Sequence, residues 1–341
     1  MKIYKRRRTF WLYICILCIF ILTRYICAHL YEGSVGVSAD AESKKYIKWI
    51  DFDVTSQALT DAVRFDIDSR GGDNQISHIT LLSLLAVKYG GSFKGYKKTD
   101  MQNYYDALIK GKKPDELVKN TKLLNYYLEA YSAVLGGFVG DYAVEKNENG
   151  LYYEKRYGLK AFSPIAAGYY YEHYDDFGAP RSFGYKRAHL GHDMLGSVGT
   201  PIVAVESGYV EACGWNRFGG WRIGIRSLDN KRYYYYAHLK KGHPFNDIYE
   251  GKLVEAGEVI GYLGMTGYSS KEDTNNINVP HLHFGLQIIF DPSQKDGVNQ
   301  IWIDAYELTK FLAQNRSEVI YDKQSGEFLR KNPMIDLSLP D

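Results

Sequence analysis

The chain has 341 residues, 45% apolar and 24% charged, which suffices for roughly two folded units with buried cores and does not suit a disordered polymer. Its 42 Lys and Arg against 40 Asp and Glu leave a net charge of +2, and no basic cluster recurs beyond the first eight residues, which argues against nucleic acid as a partner. Tyrosine is the one compositional excess, at 31 residues grouped at 169–171 and 233–236; packing accounts for most of these rings, and polar binding clefts suit the rest.

At the N-terminus, Lys2, Lys5, Arg6, Arg7 and Arg8 precede an apolar run over 10–22, with Arg24 beyond it. This is the charge-then-apolar pattern of a secretory segment. The run falls short of the ~20 residues of a spanning helix, as in a cleaved signal peptide. No small-x-small cleavage site follows, however; Ile26 and Ala28 are the nearest candidate. Residues 1–30 are therefore read as an uncleaved membrane anchor, and as a cleaved signal peptide of a secreted protein otherwise. Positive charge before the segment keeps the N-terminus inside and the rest extracytoplasmic. Cys15, Cys18 and Cys27 belong to this segment, so Cys213 is the only cysteine of the exported body and no disulfide forms within it. Cys213 is expected to be a small buried strand residue.

From 41 to about 145 the spacing is helical. Residues 76–89 carry apolar positions three and four apart and stop at Gly90-Gly91; similar periods run over 100–110 and 114–134, the last opening on Pro114 and ending at Gly136-Gly137. This small helical domain shows no recognisable pair of glycosidase carboxylates, and a binding, spacing or latency role, with a protein partner, is expected of it. The polar stretch 145–150 reads as a boundary.

A β-rich domain is expected over 151–315. Short β-branched and aromatic runs at 201–205, 208–212, 221–227, 232–238, 252–254, 259–263 and 281–290 are separated by glycine turns, the texture of an all-β sandwich or barrel. An amphipathic stretch at 303–314 is expected as a C-terminal helix outside that core, and 316–341 as a tail. The fold class is thus α+β: membrane segment, helical domain, then the β domain.

Three pieces of the β region carry histidine: His189-Leu190-Gly191-His192-Asp193, Tyr236-Ala237-His238-Leu239 and His281-Leu282-His283-Phe284. Two residues apart on a strand is one face, so His281 and His283 point together while Leu282, Phe284 and Leu286 face the core. A catalytic zinc site wants three N/O ligands, an open position for water and neighbours that move protons, and these pieces can supply all five groups.

In this order the pieces resemble the lysostaphin-like, or LytM-like, zinc peptidases of bacterial cell walls. The resemblance spans about 177–290. It includes His189 to Asp193 as His-x-Gly-x-Asp, the 199–204 stretch Gly-Thr-Pro-Ile-Val-Ala, Gly208-Tyr209-Val210, Tyr236 to Leu239, the 254–261 stretch VEAGEVIG, Thr266-Gly267 and His281 to Phe284. It implies that His189, Asp193 and His283 bind one Zn2+, that His238 and His281 stand beside the open position, and that the substrate is a peptidoglycan stem peptide or cross-bridge. His192, in the motif's variable place, is expected to be a packed or exposed histidine. Residues 269–279 lengthen the turn before His281 and 288–300 extend the strand after it, where specificity would be set. In some latent relatives an upstream segment plugs the zinc site. A non-catalytic scaffold or activator of the same fold is the alternative function, with an exported sugar- or peptide-binding module as a third reading.

Overall fold

The computed structural model describes residues 46–145, 153–297 and 299–339. The expected anchor at 1–30 lies outside them, and so does the expected boundary apart from Glu145. Among the described residues, no helix is long and apolar enough to cross a membrane.

Among the described residues four α-helices come first: α1 Ser56–Asp68, α2 His78–Tyr89, α3 Lys98–Ile109 and α4 Thr121–Leu135. Thr55, Ser77 and Asn120 cap three of them by accepting from the backbone N–H groups of Ala58, Ile79 and Leu123. Leu81, Leu82, Leu84 and Leu85 are all buried, so α2 is the apolar centre of this layer. The expected helix over 114–134 divides into a 3-10 turn, Pro114–Leu117, and α4, because Asn120 starts a new helix with its own cap. α1 was not singled out by apolar spacing: its buried face includes Asp61 and Asp66, which break the pattern.

The strands are β1 Val139–Glu145, β2 Tyr153–Leu159, β3 Tyr171–Tyr174, β4 Pro180–Arg181, β5 Arg187–Ala188, β6 His192–Gly196, β7 Pro201–Val203, β8 Gly208–Asn216 and β9 Gly220–Ser227. There follow β10 Arg232–Ala237, β11 Leu253–Val254, β12 Val259–Tyr262, β13 His281–Ile288, β14 Ile301–Ile303, β15 Val319–Asp322, β16 Glu327–Arg330 and β17 Met334–Asp336. An eight-stranded sheet runs β11-β8-β9-β10-β13-β6-β3, with β14 also on β13, and its pairings are antiparallel. The seven expected strands all fall in this sheet or in the small β7–β12 pair. The architecture is mostly β-sheet with a few helices.

Two expectations at the C-terminal end change. Residues 301–303 form β14, and α5, Tyr306–Leu312, starts only at Tyr306. Leu308, Phe311 and Leu312 are buried in the main core rather than outside it. The expected tail folds as well: β15 pairs with β16, and β17 pairs with β1. Cys213 is half-buried on β8 with a free thiol, less enclosed than expected.

The described residues from 47 onward form one compact unit, and one apolar cluster joins Leu59, Leu82 and Tyr131 of the helices to Tyr234, Phe284 and Leu286 of the sheet. β1 and β2 pair along their length. The helices and sheet also meet through charge. Buried Arg232 bonds Glu206 through Nε at 2.7 Å and Nη2 at 3.0 Å, and donates from Nη1 to the Ala133 carbonyl in the last turn of α4 at 2.8 Å. Next to it, a Cβ on Gly137 would stand 1.6 Å from Glu206 Oε1, so only glycine lets the chain pass there.

The C-terminal strand is tied by Asp336, which accepts from buried Lys160 and, at 2.6 Å, from the Ser338 hydroxyl. Burial opposes ionisation of Asp336, but Lys160 and Ser338 outweigh it and hold the carboxyl below its ordinary range. A carboxyl depressed in the folded state stabilises fully above its unfolded pKa of about 3.9, and this contribution is lost as pH falls through the folded value. Asp336→Asn is therefore expected to lower Tm at neutral pH and to flatten the fall of Tm below about pH 5. Thermal melts between neutral and acid pH check this; an unaltered acid limb would refute it.

Candidate metal centre

The strand register assembles the centre. β13 lies between β10 and β6, with His283 opposite Asp193 on one side and Ala237 on the other. His238 follows the last residue of β10; its left-handed φ of 63 ends the strand alternation there, and its ring lies 4.8 Å from that of His281 and 5.9 Å from that of His283. His281 lies two residues from His283 on the same face, while Leu282, Phe284 and Leu286 are fully buried behind them. His189 is brought in by β4 and β5, whose ladder continues when its N–H donates to the Ala179 carbonyl at 2.8 Å. A Cβ on Gly191 would meet His283 Cε1 at 2.4 Å, so the glycine between His189 and Asp193 is what lets the two segments close up.

Three ligand atoms converge. His189 Nε2 lies 2.8 Å from His283 Nδ1 and 3.0 Å from Asp193 Oδ1, and His283 Nδ1 lies 3.1 Å from that same oxygen. Tetrahedral zinc with arms of 2.0–2.2 Å has ligand edges of about 3.3–3.6 Å, so a relaxation of a few tenths of an ångström admits the ion. Two imidazoles and one carboxylate are the donor types such a site uses, and the residues fit it. Burial raises the Asp193 carboxyl, yet His189 and His283 bonded to it, with His281 nearby, hold it far below the ordinary carboxylate range, so it is an anion.

His238 and His281 stand alongside, their rings 4.8 Å apart between centroids. His238 Nδ1 is 2.8 Å from the Thr266 carbonyl and His281 Nδ1 is 2.8 Å from that of Val279. A carbonyl only accepts, so in both rings Nδ1 carries a proton and Nε2 is the nitrogen left to exchange one. His281 Nε2 lies 3.7 Å from Asp193 Oδ2, facing the centre. Burial, followed by the fields of His281 and His283, pushes His238 well below the ordinary imidazole range, so it is neutral at physiological pH. His238 also has φ 63, a left-handed conformation costly for a non-glycine residue, held by its N–H bond to the Gly219 carbonyl at 2.7 Å.

All five residues expected from sequence thus stand together. Two others had not been anticipated. Asp176 orients His189, whose Nδ1 donates to the Asp176 carbonyl at 3.2 Å and lies 3.0 Å from Oδ1. Arg181 pairs with Asp176 and reaches Asp193 Oδ2 at 3.4 Å. No local pattern marks either one, since an acid and a base five apart in a loop are commonplace. His192 is buried and packed, its Nε2 2.8 Å from His173 Nδ1 and its ring against Tyr306. A cavity of about 590 Å³ opens at the centre; its described lining runs from Arg181 to Trp302 and takes in no residue of the helical layer.

Residues 187–299 match the family described as Peptidase family M23. The chain carries a peptidase family M23 domain. Within it the sequence is 43% identical over 126 residues to the L-Ala–D-Glu endopeptidase of Bacillus subtilis (strain 168), covering 36% of this chain and 36% of that protein. It is 37% identical over 97 residues to lysostaphin of Staphylococcus staphylolyticus, covering 28% of this chain and 18% of that one. The matches thus span about a third or less of these relatives' lengths. The solved structure of a lytM protein from Ruminococcus gnavus ATCC 29149 has a TM-score of 0.53 at 19% identity, covering 82% of this chain and 95% of that one. That likeness of fold extends well outside the M23 domain itself.

Proposed function

We propose that this protein is a zinc-dependent endopeptidase that hydrolyses a peptide bond of bacterial peptidoglycan, outside the cytoplasm and tethered by its N-terminal segment. The observation that carries the reading is the convergence of His189, Asp193 and His283 beside two imidazoles held by Nδ1 with Nε2 left to exchange a proton. His189, Asp193 and His283 would hold the ion. Bound there, zinc supplies a Lewis acid and lowers the pKa of a coordinated water to about 7.

The protein's own groups handle the proton. Neutral His238 offers an Nε2 lone pair as acceptor, Nε2 of His281 is a second position for the proton, and a protonated ring is a donor toward the oxyanion or the leaving amine. The Thr266 and Val279 carbonyls fix the tautomers that make this possible. Arg181 and Asp176 keep Asp193 and His189 in place. Relatives matching this domain are named for an L-Ala–D-Glu, a glycyl-glycine and a DD peptide bond, at 43%, 39% and 36% identity, and the higher identity to the first favours a stem-peptide bond next to an acidic residue.

The test is zinc content and cleavage of defined muropeptides by the protein, before and after chelation. One zinc per chain and turnover that vanishes with chelator and returns with metal are expected. His238→Ala is expected to lower kcat by about 10²- to 10⁴-fold with zinc content unchanged. Full metal occupancy without turnover in the unaltered protein would point to a scaffold of the same fold, and peptide binding indifferent to chelator to a recognition module.

A further inference from the structure

One wall of the cavity carries a cation that the reaction above does not use. Arg187 lines the cavity two residues before His189, and the β4–β5 ladder continues into His189, so strand alternation places both on one face. The other basic side chains lining the cavity are neutralised within the chain. Arg181 pairs with Asp176 and Asp193, and Lys295 lies 3.5 Å from Glu211 and 3.7 Å from Asp296. Among the described residues, Arg187 has no carboxylate partner, although it is half-buried. A half-buried charge loses hydration, and a cation left in that condition at the edge of a cleft is set for an anion from outside.

The surroundings hold this guanidinium in place. Its centre lies 4.6 Å from the Phe218 ring centroid and 5.6 Å from that of Tyr268, and Nη1 donates to the Phe183 carbonyl at 2.9 Å. Phe183 stacks on Tyr268 at 5.1 Å and 18°, and Phe218 meets Phe183 edge-on at 6.1 Å. Tyr268 sits at φ 47, a conformation retained because its N–H bonds the Phe218 carbonyl at 3.3 Å. The exposed Arg217 guanidinium lies over the same rings, 4.7 Å from Phe218 and 6.0 Å from Phe183, so the aromatic cluster holds two cations, of which Arg187 is the half-buried one that lines the cavity. A guanidinium stacked on its face keeps its remaining in-plane N–H groups free, and these match the two oxygens of a carboxylate.

The geometry points to Arg187 as the residue that recognises a free carboxylate of the substrate, with Phe218 and Tyr268 as its platform. The substrate class is then an acidic wall peptide, carrying that carboxylate at or next to the bond cut. This deepens the peptidase reading and rests on it. A chain of uncharged glycines would leave Arg187 without its ligand.

The test compares two synthetic peptides, one with an L-Ala–D-Glu bond and one with L-Ala–D-Gln, on the zinc-loaded full chain. A charged hydrogen-bonded pair corresponds to a preference of about ten- to hundredfold, so kcat/KM should favour the Glu peptide by that factor, mainly through KM. Arg187→Gln is expected to bring the ratio to about one. Arg187→Lys should keep an intermediate ratio, since it preserves the charge without the planar fork. A ratio near one in the unaltered protein, or a preference that survives Arg187→Gln, overturns the assignment. Cleavage of neither peptide beside zinc-dependent cleavage of another muropeptide bond also overturns it, whereas no zinc-dependent cleavage of any muropeptide would instead overturn the peptidase reading. Calorimetric binding of the same two peptides to the unaltered and Arg187→Gln proteins then decides on Arg187 alone: a Glu preference lost in the variant supports it, and equal affinities refute it.

Discussion

Asp193→Ala is expected to abolish zinc binding and peptide cleavage together. The Oδ1 atom of Asp193 lies 3.0 and 3.1 Å from the ligand nitrogens of His189 and His283, so it is the atom that turns two neighbouring imidazoles into a three-ligand site. It also supplies the only negative charge among the three ligands. Substituting outer partners of metal ligands costs about 10- to 100-fold in affinity or activity, and losing a ligand outright should exceed this range. Zinc at well under one equivalent after dialysis, with turnover at background, is the expected result. Asp193→Asn should fall between, since it keeps an oxygen donor but loses the charge. An Asp193→Ala protein with a full zinc equivalent and substantial turnover would remove the basis of the proposed mechanism.

Arg232→Ala is expected to have the largest effect on stability. The guanidinium is buried, its acceptors are Glu206, the Ala133 carbonyl and, from Nη2 at 3.0 Å, the more exposed Asp229, and Tyr234 adds a 2.5 Å hydrogen bond to Glu206. Truncation leaves a buried carboxylate without its cation and a carbonyl of α4 without its donor. Breaking a buried pair from one side costs about 3–5 kcal/mol, a large part of a total stability of about 5–15 kcal/mol. Chemical denaturation should show a loss of this size. Replacing both partners by apolar residues, as in Arg232→Met with Glu206→Leu, should recover much of it, because neither charge is then stranded. If the double variant is no more stable than Arg232→Ala, the pair's hydrogen bonds to Ala133 and Tyr234, rather than its stranded charge, dominate the junction.

Much of the candidate centre was legible along the chain because its signals are local. His281 and His283 share a face through strand alternation alone, and the seven β runs announced themselves by composition and glycine turns. Apolar spacing located α2, and Pro114 marked a turn if not the helix it was expected to open. The same local logic failed at α1, where two buried aspartates interrupt the apolar face and are satisfied by distant partners: Asp61 by Tyr96 and Lys98, Asp66 by His78 and Tyr157. It also failed at the C-terminal end, where β17 finds its partner nearly two hundred residues upstream.

The amino-acid sequence by itself determined which side chains can ligate a metal and move a proton, and which of them alternate onto one face. Those properties depend on residue type and on the two-residue strand period, and neither needs a neighbour. Only the tertiary structure decided that β13 runs between β10 and β6 so that the three histidine pieces meet. It also decided that Asp176 and Arg181 brace the centre, that Arg187 stands beside it with no carboxylate partner among the described residues, and that helices and sheet close over Arg232 and Glu206. Each of these is a relation between segments far apart in the chain, set by register and by the burial of charge. Such relations exist only once the core has formed.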